Sequence, residues 1–204
     1  RICQYDDDVE AGGWDYELGG PITRLSTKTV GVVGLGAIGV EVVRRLAGFG
    51  VDIVGYDPYV SEAEMRQEGV EKVAFETLCE RSDVVTVHTP LTESTRHLLD
   101  ASAFESMGPG VTFVNAARGG IVDHDALYDA LNDGTVAYAG LDVLETEPPD
   151  DDRFTELDNV IVTPHAAWYS EDALTELQRT AGENVAEFIR GDLPEYIVNR
   201  SVVE

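Results

Sequence analysis

Gly34-Leu35-Gly36-Ala37-Ile38-Gly39 is the stretch of sequence that decides the fold. It follows the apolar, β-branched run Thr29–Val33 and opens Ile38–Phe49, whose apolar residues recur at helical spacing. In a turn between a strand and a helix, the first glycine allows a tight bend, the second lets a phosphate approach the backbone, and the third lets helix and strand pack closely. The amides at the start of the helix then favour negative charge. The stretch therefore predicts a turn that binds a dinucleotide.

An acidic residue narrows the choice of dinucleotide. Asp57 comes directly after the next predicted strand, Asp52–Tyr56. A carboxylate there accepts hydrogen bonds from the hydroxyls of an adenosine ribose and repels a 2′-phosphate. No arginine follows in Pro58-Tyr59-Val60 to accommodate such a phosphate. The pattern predicts NAD rather than NADP, and the alternative is a purely structural glycine turn beside a solvated aspartate.

Strand and helix patterns alternate along the rest of the chain. Further strands are predicted at Asp83–Val87, Val111–Asn115, Val136–Val143 and Val160–Thr163, and further helices at Ser61–Glu68, Phe75–Glu80, Asp123–Leu131 and Glu171–Arg190. Near-continuous apolar strands between helices are typical of a parallel sheet that is covered on both faces. We therefore predict an α/β fold with a Rossmann-type, doubly wound parallel sheet. The glycine-rich segment before it reads as a linker, so the short ends of the chain need something else to pack on.

The composition is strongly acidic. The 204 residues include 39 Asp and Glu against 14 Lys and Arg, which gives a formal net charge of −25. Such a field repels nucleic acid and anionic membranes, so neither is expected as a partner. Because the acidic residues are spread over the whole chain, we predict a salt-adapted, halophilic protein; an acidic surface for a protein partner is the alternative.

Localisation follows from what the sequence lacks. It has no apolar run long enough for a transmembrane helix, and its two cysteines, Cys3 and Cys79, make no disulfide framework. A cytoplasmic protein is predicted, with Cys79 as a small apolar residue of a helix. The chain does not begin with methionine, and from this we expect it to be a fragment.

Three polar residues are candidates for catalysis because each follows a predicted strand. Arg118, Glu147 and His165 lie beyond the strands that begin at Val111, Val136 and Val160, at the edge where ligands bind in open α/β sheets. Arginine supplies a fixed fork of donors for a carboxylate or carbonyl, and histidine supplies a group that titrates near neutral pH. A glutamate beside the histidine would favour the charged ring and hold its tautomer. From spacing alone, the alternatives are a surface ion pair for the arginine, one more solvated acid for the glutamate and a buried ring for the histidine.

The remaining histidines are weaker candidates. His88 lies at a strand end, and His97 and His124 lie among polar residues, where we expect them to be exposed. No set of metal ligands is predicted.

The sequence resembles the D-isomer-specific 2-hydroxyacid dehydrogenase family over nearly its whole length. The matching segments are Gly34 to Gly39, Tyr56-Asp57-Pro58, His88-Thr89-Pro90-Leu91-Thr92, Asn115-Ala116-Ala117-Arg118-Gly119-Gly120, Leu141-Asp142-Val143 with Glu147-Pro148, and Pro164-His165. In that family the matching arginine, glutamate and histidine form the catalytic set. The resemblance implies an enzyme that interconverts a 2-oxo acid and a D-2-hydroxy acid with NAD, with His165 as the general acid and base.

The resemblance also implies further roles and partners. Ala37 and Ile38 would offer backbone to the pyrophosphate, Thr89 and Pro90 would lie along the adenosine ribose, and the nicotinamide would be bordered by Ala116, Ala117, Arg118, Asp142 and His165. Arg118 would also bind the substrate. Residues 21–165 would be the NAD-binding domain, 1–20 a linker and the end of a substrate domain, and 166–204 a helix returning to that domain. Family members usually dimerise through the cofactor domain, so a homodimer is expected.

One branch of the family, the C-terminal-binding-protein corepressors, looks closest. His165-Ala166-Ala167-Trp168-Tyr169-Ser170-Glu171 resembles a segment in which the tryptophan shapes the substrate pocket, so Trp168 is a candidate for substrate binding; an apolar anchor for the last helix is its alternative. From the resemblance, we expect about a hundred residues that family members carry upstream to be missing from this sequence. A second hypothesis, which shares the cofactor site but does not need rapid catalysis, is an NAD(H)-responsive regulator of the corepressor type. A third is a non-catalytic remnant.

Overall fold

Seven parallel strands form one sheet in the computed structural model, which describes residues 2–18, 20, 22–194, 196–198 and 202. The strands are β1 (Thr29–Val33), β2 (Asp52–Tyr56), β3 (Glu71–Lys72), β4 (Val84–Val87), β5 (Val111–Asn115), β6 (Val136–Leu141) and β7 (Val160–Val162). Their spatial order is β3-β2-β1-β4-β5-β6-β7. The predicted doubly wound parallel sheet of the Rossmann type is thereby confirmed.

Seven α-helices accompany the strands in the described part of the chain. They are α1 (Ile2–Glu10), α2 (Ala37–Leu46), α3 (Glu62–Gln67), α4 (Phe75–Arg81), α5 (Ala101–Glu105), α6 (His124–Asp133) and α7 (Glu171–Arg190). Single 3₁₀ turns occur at Leu25–Thr27, Ala47–Phe49 and Gly119–Ile121. The chain divides into two units, Arg1–His165 with the whole sheet and Ala166–Glu204 with α7.

Helices cover the sheet on both faces, as the core of the first unit shows. Val32 of β1 packs in one buried cluster with Val43 of α2 and Met65 of α3. The next residue, Val33, packs in a second cluster with Leu78 of α4, to which α5 and α6 also contribute. Successive strand residues point to opposite faces, so each strand must be apolar on both.

Two helices begin at residues that the sequence predicted. Ser61 precedes α3 and forms a capping box, in which its Oγ accepts from the Glu64 amide and the Glu64 carboxylate accepts from the Ser61 amide. Asp123 precedes α6, and its Oδ1 accepts from the amides of Asp125 (3.0 Å) and Ala126 (3.2 Å). Cys79 is buried in α4, as predicted.

Several elements differ from the sequence prediction. Ile2–Glu10 forms a helix where a linker was predicted, because the acidic run Asp6-Asp7-Asp8 hides any helical repeat and no residue of α1 is buried. The strand β3 is only two residues long and polar, and α5 has only five residues, so neither shows a period. The strand β6 ends at Leu141 rather than Val143, and α2 ends at Leu46 before a 3₁₀ turn closed by Gly50 in the left-handed conformation (φ +68°).

The second unit consists mainly of α7. Ser170 caps its first turn by accepting from the Ala173 amide, and Gly191 ends it with φ +85°. No residue of α7 is buried. Within the described residues no helix is long and apolar enough to cross a membrane.

Candidate active site

The predicted site residues of the first unit lie along the carboxyl edge of the sheet. In the spatial order of the strands, β2 is followed by Asp57, β1 by Gly34, β4 by Thr89 and Pro90, β5 by Ala116, Ala117 and Arg118, β6 by Asp142 and Glu147, and β7 by His165. The chain moves outward from β1 to β3 and then returns to β4 on the other side of β1. Ligands of such sheets bind at this switch point, outside the carboxyl ends of the strands.

Two glycines of the turn after β1 are required by the fold itself. Gly34 has φ +92°, and a Cβ there would lie 2.7 Å from the amide nitrogen of Thr89, across the switch point. A Cβ on Gly39 would lie 2.1 Å from the carbonyl oxygen of Gly34. Any side chain at these positions would therefore separate the helix or the neighbouring strand end from the turn.

Gly36 is different, because nothing in the protein excludes a side chain there. Its φ of −74° and ψ of −166° suit any residue, and a Cβ would meet no atom within 4 Å. It is the N-cap of α2 without a side-chain cap, so the first-turn amides, including those of Ala37 and Ile38, lack helical partners. Ile38 is exposed beside it. This open cradle of amides at a helix N-terminus fits the pyrophosphate of a dinucleotide.

Asp57 fixes the same turn from the neighbouring strand. Its Oδ2 accepts from the amide of Leu35 at 2.9 Å, and its Oδ1 accepts from the amide of Tyr59 at 2.8 Å. The carboxylate is thus held by the backbone on both oxygens, and each oxygen keeps further acceptor capacity for a ribose hydroxyl.

Replacing Asp57 with asparagine is expected to shift the cofactor preference toward NADPH by about tenfold, because the negative charge that repels a 2′-phosphate is removed. The measurement is the ratio of the Kd values of NADH and NADPH. Damage to the turn would weaken the binding of both cofactors, so its effect would cancel in the ratio of their Kd values. An unchanged ratio in a folded variant would contradict the role of Asp57.

The turn after β5 presents Arg118. The buried Asn115 shapes this turn, since its Nδ2 donates to the carbonyl of Arg118 (3.0 Å) and its Oδ1 accepts from the amide of Ala117 (3.0 Å). The exposed Arg118 side chain donates to the carbonyl of Ala117 at 2.6 Å and forms no ion pair with any described residue. The alternative of a surface ion pair is therefore not seen, and the guanidinium stays available for an anionic ligand.

Glu147 and His165 are brought together by two different strand ends. His165 Nδ1 lies 2.8 Å from Glu147 Oε2, and the amide of Leu144 donates to Glu147 Oε1 at 3.0 Å. Partial burial alone would raise the pKa of Glu147, but the hydrogen bonds from His165 and Leu144 outweigh it and hold the pKa below its ordinary value. Glu147 is therefore charged at neutral pH, and its hydrogen bond with Nδ1 orients the His165 ring.

Hydrogen bonds fix the position of the His165 backbone. Its amide donates to the carbonyls of Asp142 (2.8 Å) and Thr163 (2.9 Å), and the Thr163 hydroxyl donates to Asp142 Oδ1 at 2.6 Å. His165 itself has φ +52°, a left-handed conformation that residues other than glycine rarely adopt. Such conformations cluster at functional sites, where the surrounding contacts hold them in place.

His124 corrects the sequence analysis, which expected it to be exposed. It is only 8% exposed, because α6 turns it inward against the ring of Phe154 at 5.1 Å. Burial lowers the pKa of His124, and burial likewise lowers the pKa of His88, whose Nε2 lies 3.0 Å from the Thr86 hydroxyl. The lowered pKa values favour the neutral form of both rings.

The structure also places Pro90 and Trp168, two further residues that the sequence predicted for the site. The carbonyl of Pro90 accepts from the Thr95 hydroxyl at 2.6 Å. Trp168 lies in the second unit, where its half-exposed ring packs edge-on against Tyr169 at 5.6 Å. Among the described residues, no cluster of three or more His, Cys, Asp or Glu is arranged to hold a metal ion.

Three residues that contact the site segments or lie in them were not singled out from the sequence. Asn115 carried a signal, since a polar residue ending an apolar strand is typical of a side chain that shapes a turn. His97 and Glu145 carried none: His97 Nε2 lies 2.5 Å from Glu145 Oε1, but the pair is 48 residues apart in sequence.

The fold and this edge define a dinucleotide-binding domain with a paired histidine and glutamate. The chain belongs to the D-isomer specific 2-hydroxyacid dehydrogenase family, whose NAD binding domain matches residues 1–167. NAD is therefore its cofactor, in agreement with the open cradle at Gly36.

Named relatives agree with this family. The chain is 42% identical to a D-3-phosphoglycerate dehydrogenase of Methanocaldococcus jannaschii, with 98% of the chain and 38% of the relative aligned. It is 43% identical to a glyoxylate reductase of Korarchaeum cryptofilum, over 100% of the chain and 63% of the relative. A D-lactate dehydrogenase from Aquifex aeolicus, solved with NAD and lactic acid, superposes with a TM-score of 0.86 at 30% identity, over 94% of the chain and 62% of that structure. The chain thus spans between about two fifths and three fifths of the length of these relatives.

Proposed function

We propose that the protein is an NAD-dependent oxidoreductase that interconverts a 2-oxo acid and a D-2-hydroxy acid. The observation that carries the proposal is the hydrogen bond between His165 and Glu147 at the sheet edge that also bears the glycine turn. The relatives are named as dehydrogenases and a reductase of small acids of this kind, which supports the same class of reaction.

NAD supplies the hydride acceptor when bound, and NADH supplies the hydride for the reverse direction. In reduction, His165 carries a proton on Nε2 and donates it to the substrate carbonyl oxygen as that oxygen gains negative charge. Glu147 holds Nδ1 and stabilises the charged ring. In oxidation, neutral His165 accepts the hydroxyl proton.

Arg118 binds the substrate in this scheme. Its guanidinium offers a planar fork of donors that matches a carboxylate and also polarises a neighbouring carbonyl. Trp168 stays a candidate for contact with the substrate side chain.

Rates of NADH oxidation across a panel of 2-oxo acids test the proposal and identify the substrate. The intact protein at high salt is expected to oxidise NADH with at least one member of the panel. Tight NADH binding without turnover of any acid would instead favour a regulatory protein.

We also propose that the protein is adapted to high salt, on the strength of its net charge of −25. Its melting temperature is expected to rise as KCl increases from about 0.1 M to about 2 M, because the Debye length falls from about 10 Å to a few Å and screens the repulsion between carboxylates. Replacing the exposed Asp6 and Asp7 with asparagine should flatten this dependence. Maximal stability at low salt would contradict the proposal.

A homodimer is proposed on the resemblance and on an exposed apolar segment. Trp14, Tyr16 and Ile22 are 89%, 83% and 65% exposed, an arrangement more typical of an interface than of a solvated surface.

Cys3 and Cys79 form no disulfide, which is compatible with the predicted cytoplasmic location.

A further inference from the structure

The turn that carries Arg118 and the loop that carries Glu147 touch backbone to backbone. A Cβ on Gly119 would lie 2.0 Å from the carbonyl carbon of Leu144 and 2.4 Å from the amide nitrogen of Glu145. The two segments therefore approach as closely as glycine permits, and the peptide between Leu144 and Glu145 rests on the arginine turn.

His97 contacts both of these segments. Its amide donates to the carbonyl of Gly120 at 3.0 Å, and its Nε2 donates to Glu145 Oε1 at 2.5 Å. Asp123 Oδ2 lies 4.0 Å from Nδ1 on the other side of the ring. One residue of the loop after β4 thus links the arginine turn after β5 to the glutamate loop after β6.

A histidine at position 97 could serve its left-handed backbone conformation or the contact that its imidazole makes. The backbone geometry distinguishes these two roles. His97 has φ +50°, which glycine adopts without strain and which histidine tolerates better than most residues. The segment is also held by its own backbone, since the Leu99 amide donates to the carbonyl of Ile121. The left-handed turn therefore does not need the imidazole, whereas the contact with Glu145 does.

We propose that His97 is a positioning residue for the catalytic pair. By holding Glu145 it fixes the peptide that follows Leu144, whose own amide holds Glu147 Oε1, and Glu147 in turn holds the His165 ring. The effect on catalysis rests on the proposed function of Glu147 and His165. The effect on the backbone of the loop at Leu144 and Glu145 does not depend on that function.

The test compares His97→Gly with His97→Gln. Glycine keeps the left-handed backbone and removes the imidazole; glutamine restores an N–H donor of similar reach. His97→Gly is expected to lower kcat about tenfold at unchanged NADH Kd, and His97→Gln to recover most of the loss. Glu145→Ala should match His97→Gly, and the double variant should lose no more than either single one, because both remove one contact.

Amide hydrogen exchange at Leu144 gives a readout without activity. His97→Gly and Glu145→Ala are expected to speed exchange at Leu144 at least severalfold, while Val85 in the core stays protected and reports an intact fold. Unchanged exchange at Leu144 or additive losses of kcat would overturn the proposal. If His97→Gly unfolds, Glu145→Ala carries the same comparison. If the wild type reduces no 2-oxo acid, the proposed function fails, and exchange at Leu144 still decides the role of His97.

Discussion

Replacing His165 with asparagine is expected to lower kcat for reduction of a 2-oxo acid by about 10²–10⁴-fold, while NADH binds as tightly as before. The variant lacks a side chain that can donate a proton to the carbonyl oxygen. Asparagine suits the test because it tolerates the left-handed backbone at φ +52°, where alanine would add strain to the chemical loss. Single-turnover reduction and NADH titration separate the two effects.

Glu147→Gln is the matched variant for the same pair, since it keeps the shape and removes the charge that stabilises the protonated ring. It should also lower kcat without weakening NADH. Wild-type kcat in a folded His165→Asn variant would remove the histidine from the mechanism.

Replacing Gly36 with serine is expected to raise the Kd of NADH by about tenfold or more while leaving the melting temperature equal or slightly higher. A Cβ at this position meets no protein atom within 4 Å, and serine is a good N-cap, so we expect its hydroxyl to gain a hydrogen bond with an amide of the first turn of α2. The same side chain occupies the space through which the pyrophosphate reaches the helix amides. Binding and stability thus change in opposite directions.

Gly48→Ser is the control, because a Cβ on Gly48 also meets no atom within 4 Å but lies at the other end of α2. It should leave the NADH Kd unchanged. If Gly36→Ser binds NADH like the wild type, the cofactor does not lie on this turn.

The sequence predicted the parts of the fold whose signals lie within a short stretch of the chain. Apolar strands such as Thr29–Val33 and Val111–Asn115 were found with their observed bounds, because a strand buried on both faces is apolar throughout. The caps at Ser61 and Asp123 were found because their hydrogen bonds are local. Residues 2–10 were missed, since a helix that buries nothing leaves no apolar stripe.

The sequence predicted which residues lie at the candidate site, but it did not predict the contacts between the loops around them. Parallel strands place their carboxyl ends at one edge, so Asp57, Arg118 and His165 could be assigned to that edge from sequence. The contact of His97 with Glu145 and the burial of His124 depend on how distant loops pack, and no local pattern encodes them. The role of Trp168 in substrate binding also stays a prediction.

The most direct test follows deuterium from NADH carrying deuterium at the transferable position to the product. With a 2-oxo acid and the intact protein at high salt, we expect one deuterium at C2 of a D-2-hydroxy acid, and none when His165→Asn replaces the wild type over the same time. A product of the L configuration, a product without deuterium, or equal transfer by the His165 variant would contradict the assignment of this sheet edge as a D-2-hydroxyacid dehydrogenase site.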